Sequence, residues 1–292
     1  MGTEALKQSI GLSSIGNARE LGGYPGAGGR TVRHGVLLRT AKLSTAAVED
    51  LVTLSKKFRV ARVIDLRSDE EINGAAEAAM FTNTYEPDRD LIPEGAEYMH
   101  LPIFDMQKMV DQINSVSGCQ VRKEKTDLIT ALGVAVEAGI LGDSLYFAFL
   151  DDDPGKSSFA RIFRELISLE EGRALLFHCN QGKDRTGVTA LLILSALGVS
   201  EDVIVSDYML TNVFNRQRIE GERRMLEASG KISPDKIDTY LMAMDCVKES
   251  TMTSLLAHIK ERYGSVTDYI INELGVTESE IELLRDKFLE QR

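Results

Sequence analysis

Cysteine is scarce: three residues, widely spaced, in a chain of 292. That count builds neither a disulfide framework nor a metal box, and isolated thiols suit a reducing compartment. Long apolar runs are missing too. The longest, Gly187 to Val199, is broken by Thr189, Ser195 and Gly198 and is shorter than a bilayer span, so it reads as a buried helix. Positive charge is in deficit, with 34 Lys and Arg against 45 Asp and Glu and a net charge of −11. Non-specific nucleic-acid binding needs a basic face and is not expected. The N-terminus shows no basic stretch followed by an apolar core and does not fit the myristoylation pattern. A cytoplasmic protein without stable membrane insertion is the expectation, although a mature secreted form would look the same. His34, His100 and His258 are scattered and form no metal spacing. No repeat, low-complexity tract or linker divides the chain.

What is present is an alternation of strands and helices. Hydrophobic residues make up 43% of the chain, enough for a sizeable core. Val32 to Arg39, Arg59 to Leu66, Tyr98 to Phe104 and Arg173 to Phe177 read as strands, and the β-branched run RVARVIDL as a buried one. A helix capped by Ser44 or Thr45 carries Val48, Leu51, Val52 and Leu54 at helical spacing. Ser68 and Glu71 form a capping box. Gln107 to Leu150 reads as helix in two pieces, Asp151 to Ser158 as a loop, and Phe159 to Leu169 as an amphipathic helix. The glycines from Gly22 to Gly29 follow no strand and lack the ending of a nucleotide loop, so they read as a turn. After Ser200 everything reads as helix, with a capping box at Thr277 and Glu280 and C-terminal caps at Gly264 and Gly275. The pattern predicts an α/β fold with a central, mainly parallel sheet flanked by helices. All of 1–292 is expected to form one domain, with a helical insertion at about 107–150 and a helical tail from about 200 packed on the core.

The segment that carries chemistry is HCNQGKDRTG, His178 to Gly187. Cys179 follows an apolar strand and precedes an apolar helix, where the helix N-terminus, Lys183 and Arg185 all favour a thiolate. Six residues on, Arg185 offers a planar fork that can grip two phosphoryl oxygens. The intervening Asn180, Gln181, Gly182, Lys183 and Asp184 have the reach to curl round a tetrahedral anion with their amides pointing inward. Gly182 permits a backbone angle that a side chain would forbid. Thr186 can donate its hydroxyl to the sulfur. Lys183 either adds charge for a second phosphate or is simply solvated. His178 is expected to orient the loop through backbone contacts. Arg19, Arg39 and Arg67 either line the pocket or pair structurally. Cys119 and Cys246 carry no basic surroundings and read as spectators. Asp65, at the end of its strand, either faces the pocket or orients Arg67.

This loop resembles that of the protein-tyrosine-phosphatase superfamily, above all its atypical branch with an HC-x-x-GKDRTG loop. That branch includes bacterial tyrosine phosphatases that also accept phosphoserine, phosphothreonine or phosphoinositides. NARELGGY (Asn17 to Tyr24) is similar to its N-terminal box, with Glu20 where Asp is usual. LLRTAKLS (Leu37 to Ser44), VIDLRSDEE (Val63 to Glu71) and the segment Glu261 to Leu289 fit further blocks. The resemblance covers nearly the whole chain. It implies phosphoester hydrolysis through a phosphocysteine on Cys179, without metal or organic cofactor, on a phosphoprotein or phosphoinositide. It also suggests the proton donor: Asp184, the in-loop aspartate of this branch, comes first. Asp105, where conventional members carry a mobile acid, and Asp65 remain alternatives. Helices in the 107–150 region form a lid in the resembling branch; ordinary packing is the competing expectation. Two rival readings are a catalytically silent phosphate-binding module and a sulfurtransferase or arsenate-reductase-like enzyme. The second usually needs a resolving cysteine nearby, and the closest other cysteine in sequence, Cys119, is sixty residues from Cys179.

Overall fold

The structure is a computed structural model that describes residues 7–73, 87–105, 108, 111, 115 and 135–291. Its elements in chain order are β1 (Arg19–Glu20), β2 (Thr31–Val32), β3 (Leu37–Thr40), α1 (Val48–Val52), β4 (Val60–Asp65), α2 (Asp69–Ile72) and β5 (Glu97–His100). Then come α3 (Asp143–Asp151), α4 (Asp153–Ser168), β6 (Ala174–His178) and α5 (Asp184–Ala196). The tail holds α6 (Glu201–Phe214), α7 (Arg216–Ser229), α8 (Ile237–Met244), α9 (Glu249–Tyr263), α10 (Val266–Asn272), α11 (Glu278–Phe288) and β7 (Leu289–Glu290).

The central sheet has the order β1-β3-β6-β4-β5. Only β1 runs antiparallel; β3, β6, β4 and β5 are parallel. Side chains alternate across this sheet, and both faces are covered. Leu37, Ile64, Leu175 and Phe177 face one core, built with α3, α4, α5, α6 and α9 to α11, while Leu226 of α7 and Ile237, Tyr240 and Leu241 of α8 form a small cluster of their own. Leu38, Val63, Ala174 and Leu176 face a smaller core with Ile10, Ile15, Leu43 and Leu54. That two-sided burial is why these strands read as apolar runs. The register sets Thr40, His178 and Asp65 side by side at the C-terminal edge. Open α/β sheets offer a crevice for ligands at this edge.

Several boundaries differ from the sequence expectation. Val32 to Arg39 is two strands, separated at Gly35, where φ is 73°. Val32 leaves the central sheet and pairs with Leu289 of β7. Asp151 to Ser158 is mostly helix: Pro154 lies in the first turn of α4, where a missing N–H costs nothing, so it starts a helix instead of breaking one. The helix at Val48 is capped by Ala47, with no side-chain bond from Ser44 or Thr45. Both capping boxes, Ser68–Glu71 and Thr277–Glu280, are formed. Most of the expected insertion, including 116–134 and Cys119, lies outside the described residues. Its last part, α3, buries Tyr146, Phe149 and Leu150 in the main core.

Candidate active site

The loop from Cys179 to Lys183 joins β6 to α5. Cys179 is 1% exposed at its floor. Gly182 adopts φ +65°, and a Cβ there would stand 2.3 Å from the Thr40 carbonyl oxygen. A side chain is thus barred twice, by conformation and by space.

The carbonyls of the loop point away from its centre. Asn180 O accepts from Lys42 N at 3.1 Å. Asn17 Nδ2 donates to Gln181 O at 3.1 Å and to Gly182 O at 2.8 Å. Arg39 adds a bond to Gly182 O at 2.9 Å. In a planar trans peptide the N–H opposes the C=O. The amides of Gln181, Gly182 and Lys183 are therefore turned inward beside the N-terminus of α5, an arrangement of donors of the kind that suits an anion.

Behind the loop lies a buried charge cluster. Arg19 and Arg39 are both fully buried and share Asp207 of α6: Arg19 Nε lies 3.1 Å from Oδ1 and an Arg39 terminal nitrogen 2.6 Å from Oδ2. Arg19 also donates to Asn17 Oδ1, which orients the amide that holds the loop. Burial and the neighbouring Arg19 push the Arg39 pKa down to about 10. Burial works against the Asp207 charge, but Arg19 and Arg39 outweigh it and its pKa is lowered.

Arg185 is held by Glu71. The two terminal guanidinium nitrogens lie 2.5 and 2.8 Å from the two carboxylate oxygens. Glu71 Oε2 also accepts from Ser68 N at 2.9 Å, so one carboxylate both caps α2 and grips the arginine. Burial opposes both charges, yet each partner favours the other's ionised form: the Glu71 pKa is lowered and that of Arg185 raised. One terminal nitrogen also reaches Leu66 O at 3.3 Å. Among the described residues this leaves Nε and the outer N–H beside it as the edge of the fork available to a ligand.

Asp184, the first residue of α5, accepts from the Tyr146 hydroxyl. Lys183 turns its ammonium onto the end of α8, 2.8 Å from Met244 O and 3.7 Å from Asp184 Oδ1. Gln181 reaches Asp245 at 3.2 Å, and Asn180 is exposed. Thr186 is fully buried, and among the described residues its hydroxyl has no hydrogen-bond partner, so the bond to sulfur is not formed here. Asp65 pairs with Arg67 through both oxygens, at 2.8 to 3.1 Å, and accepts from Tyr98. It orients that arginine, and its Oδ1 lies 3.9 Å from His178 Nδ1. Asp105 is exposed beyond β5, beside Lys108. His178 places Nδ1 3.1 Å from its neighbour's carbonyl, Cys179 O, and Nε2 3.2 Å from Asp90. Asp65, Asp90 and His178 are the one group among the described residues whose atoms cluster as metal ligands would. Arg67 donates to both carboxylates and already supplies a cation there.

Residues 10–290 match the tyrosine phosphatase family. The chain belongs to that family, and it is a phosphatase. A candidate tyrosine-protein phosphatase of Cupriavidus necator is 28% identical over 285 residues, covering 97% of this chain and 89% of that one. The triple specificity protein phosphatase PtpB of Mycobacterium tuberculosis is 26% identical over 273 residues, 88% of this chain and 92% of its own. A tyrosine-protein phosphatase of Nostoc commune is 30% identical over 129 residues, 44% of this chain and 42% of that one.

Within this phosphatase, sequence reasoning missed Glu71 as the partner of Arg185, Asp207 as the anchor of two arginines, and Tyr146 and Tyr208 beside Asp184. The capping-box pattern marked Glu71 but not its second task. Nothing local marked the others. No helix among the described residues is long and apolar enough to cross a membrane.

Proposed function

We propose that the phosphatase works through a phosphocysteine. The Cys179 thiolate attacks phosphorus in line. The inward amides of the loop and the Nε edge of Arg185 hold the three equatorial oxygens as charge shifts among them. Asp184 gives its proton to the leaving oxygen, and the alcohol or phenol departs. Water then attacks the phosphocysteine and passes a proton to Asp184. Inorganic phosphate and the thiolate are released. The mechanism requires no metal or organic cofactor. The observation that carries this reading is the loop itself, with the carbonyls of residues 180 to 182 anchored outward above Cys179 and Arg185 locked at its far end.

Asp184 is preferred to the other aspartates on geometry. Asp65 is committed to Arg67, and Asp105 lies on the surface. Residues 1–292 act as one phosphatase unit, a reading supported by a main core that draws on residues as far apart as Leu21 and Leu289. The substrates are phosphotyrosine proteins, with phosphoserine, phosphothreonine and phosphoinositides as further members of the class. The engaged Lys183 ammonium weakens the case for a second phosphate bound by that residue.

Wild type and Cys179→Ser are assayed on p-nitrophenyl phosphate. Turnover in wild type alone is expected. Equal activity in both proteins would remove Cys179 from the mechanism, and no turnover in either would favour a silent phosphate binder. A panel of phosphopeptides and phosphoinositides then ranks the substrates.

A further inference from the structure

Two tyrosines stand behind Asp184. Tyr146 of α3 and Tyr208 of α6 are 5% and 1% exposed, and their rings meet edge to face with centroids 6.4 Å apart. The Tyr146 hydroxyl donates to Asp184 Oδ1, and the Tyr208 hydroxyl lies 2.6 Å from that of Tyr146. A phenol carries one proton. With the Tyr146 proton committed to the carboxylate, Tyr208 is the donor in the second bond, and the chain runs Tyr208 to Tyr146 to Asp184. Burial first, and the Asp184 charge second, raise both phenols well above their ordinary value, so both keep their protons across the working range of the enzyme.

The fold makes room for this chain. Gly187, the last residue of the loop motif, packs against the Tyr208 ring, and a Cβ there would sit 2.9 Å from two ring carbons. The Asp184 side chain is 30% exposed. It shares a cavity of about 290 Å³ with both tyrosines, Lys183, Val247 and Thr251.

We propose that Tyr146, backed by Tyr208, is the positioning residue for the Asp184 proton donor. By occupying Oδ1 it fixes the plane of the carboxyl group and leaves Oδ2 to carry the proton to the leaving oxygen. Without it the carboxyl would rotate about its terminal torsion, which has no sharp minimum of its own. This inference rests on the reading of Asp184 as general acid.

The test compares two substrates. The leaving group of p-nitrophenyl phosphate departs with little help, whereas that of phenyl phosphate needs a proton. Tyr146→Phe is expected to lose at least about tenfold more kcat/KM on phenyl than on p-nitrophenyl phosphate, a difference worth about 1.4 kcal/mol. The double variant with Asp184→Asn should be no worse than Asp184→Asn alone. Tyr208→Phe, which keeps the direct bond, should show the same pattern at about a third of the size and serves if Tyr146→Phe folds poorly. If Asp184→Asn shows the leaving-group dependence while both tyrosine variants affect the two substrates equally, the positioning role is overturned. If Asp184→Asn itself shows no such dependence, the acid assignment falls and takes this inference with it.

Discussion

Glu71→Gln is the sharpest perturbation of the site, because glutamine preserves the shape of the side chain and can still cap Ser68. What it removes is the charge opposite Arg185. The wild-type pair makes two charge-assisted bonds, at 2.5 and 2.8 Å, with both side chains about nine-tenths covered. Removing one partner of a buried pair costs about 3–5 kcal/mol, because the other charge is left behind. The amide oxygen of glutamine keeps one ordinary hydrogen bond, which recovers about 1 kcal/mol. The expected loss of stability is thus about 2–4 kcal/mol. With an unfolding entropy of about 2.1 cal/mol/K per residue, that is a drop in Tm of about 3–7 °C. Freed from its bidentate clamp, Arg185 no longer presents its Nε edge to the loop, and kcat/KM should fall about 10- to 100-fold. The sign of the pH effect follows from the lowered Glu71 pKa, whose ordinary value is 4.5. Its contribution is fully present above that value and is lost as pH falls toward the folded-state pKa. The stability gap between wild type and variant should therefore be widest at neutral pH and shrink below about pH 4. Thermal melts across pH, with p-nitrophenyl phosphate kinetics, read all three quantities. A variant that melts with wild type at neutral pH and keeps its kcat/KM would refute the clamp.

Asp207→Asn should destabilise by about 3–5 kcal/mol in denaturant unfolding, since it strips the shared counter-charge from two buried arginines. It should also lower kcat/KM, because Arg39 holds Gly182 O. Gly182→Ala should leave the circular dichroism spectrum in place but reduce turnover by about a hundredfold or more, equivalent to about 2.7 kcal/mol, as the loop moves to relieve the clash with Thr40. Inorganic phosphate at about 100 times its Kd should stabilise wild type by about 2.7 kcal/mol. Arg185→Lys, which keeps the charge but loses the fork, should lose most of that gain in the same thermal-shift assay.

The parts legible in the sequence were those fixed by near neighbours. RVARVIDL and RALLF became β4 and β6 because a run covered on both faces must be apolar throughout. The Ser68 and Thr277 boxes formed because their donors and acceptors lie within one turn. The loop was legible because its glycine, its cysteine and its arginine have fixed spacing. What could not be read spans long separations. The Arg185–Glu71 pair joins residues 114 positions apart, Arg19–Asp207 joins residues 188 apart, and β2 meets β7 across the whole chain. Tyr146 sits in a helix whose core-facing pattern gives no hint that one hydroxyl reaches an aspartate 38 positions on. The start of α4 was misread for a different reason: Asp-Pro-Gly is turn chemistry in isolation, but Pro154 sits in the first turn of a helix, where its missing N–H costs nothing, and Gly155 is there because a Cβ would meet Phe149 O at 1.8 Å.

The anion site proposed for this loop lies in a chain of net charge −11, which raises the question of where its attraction would come from. Its side-chain cations carry little surplus. Arg185 faces Glu71, and Lys183 lies among carbonyls beside Asp184. Arg19 and Arg39 share Asp207, which leaves one excess positive charge in a fully buried cluster behind Gly182. The remaining positive potential belongs to backbone dipoles: the inward amides of the loop and the first turn of α5. Dipoles built into the chain cannot be neutralised by a neighbouring carboxylate, and they need no rearrangement when charge develops on phosphorus. The cations therefore serve mainly as tools of shape. Arg39 and Asn17 pull the carbonyls outward, Arg19 orients Asn17, and Glu71 sets the plane of Arg185. A net negative chain and the proposed anion-binding role of the loop are compatible because the loop draws on geometry rather than on net charge.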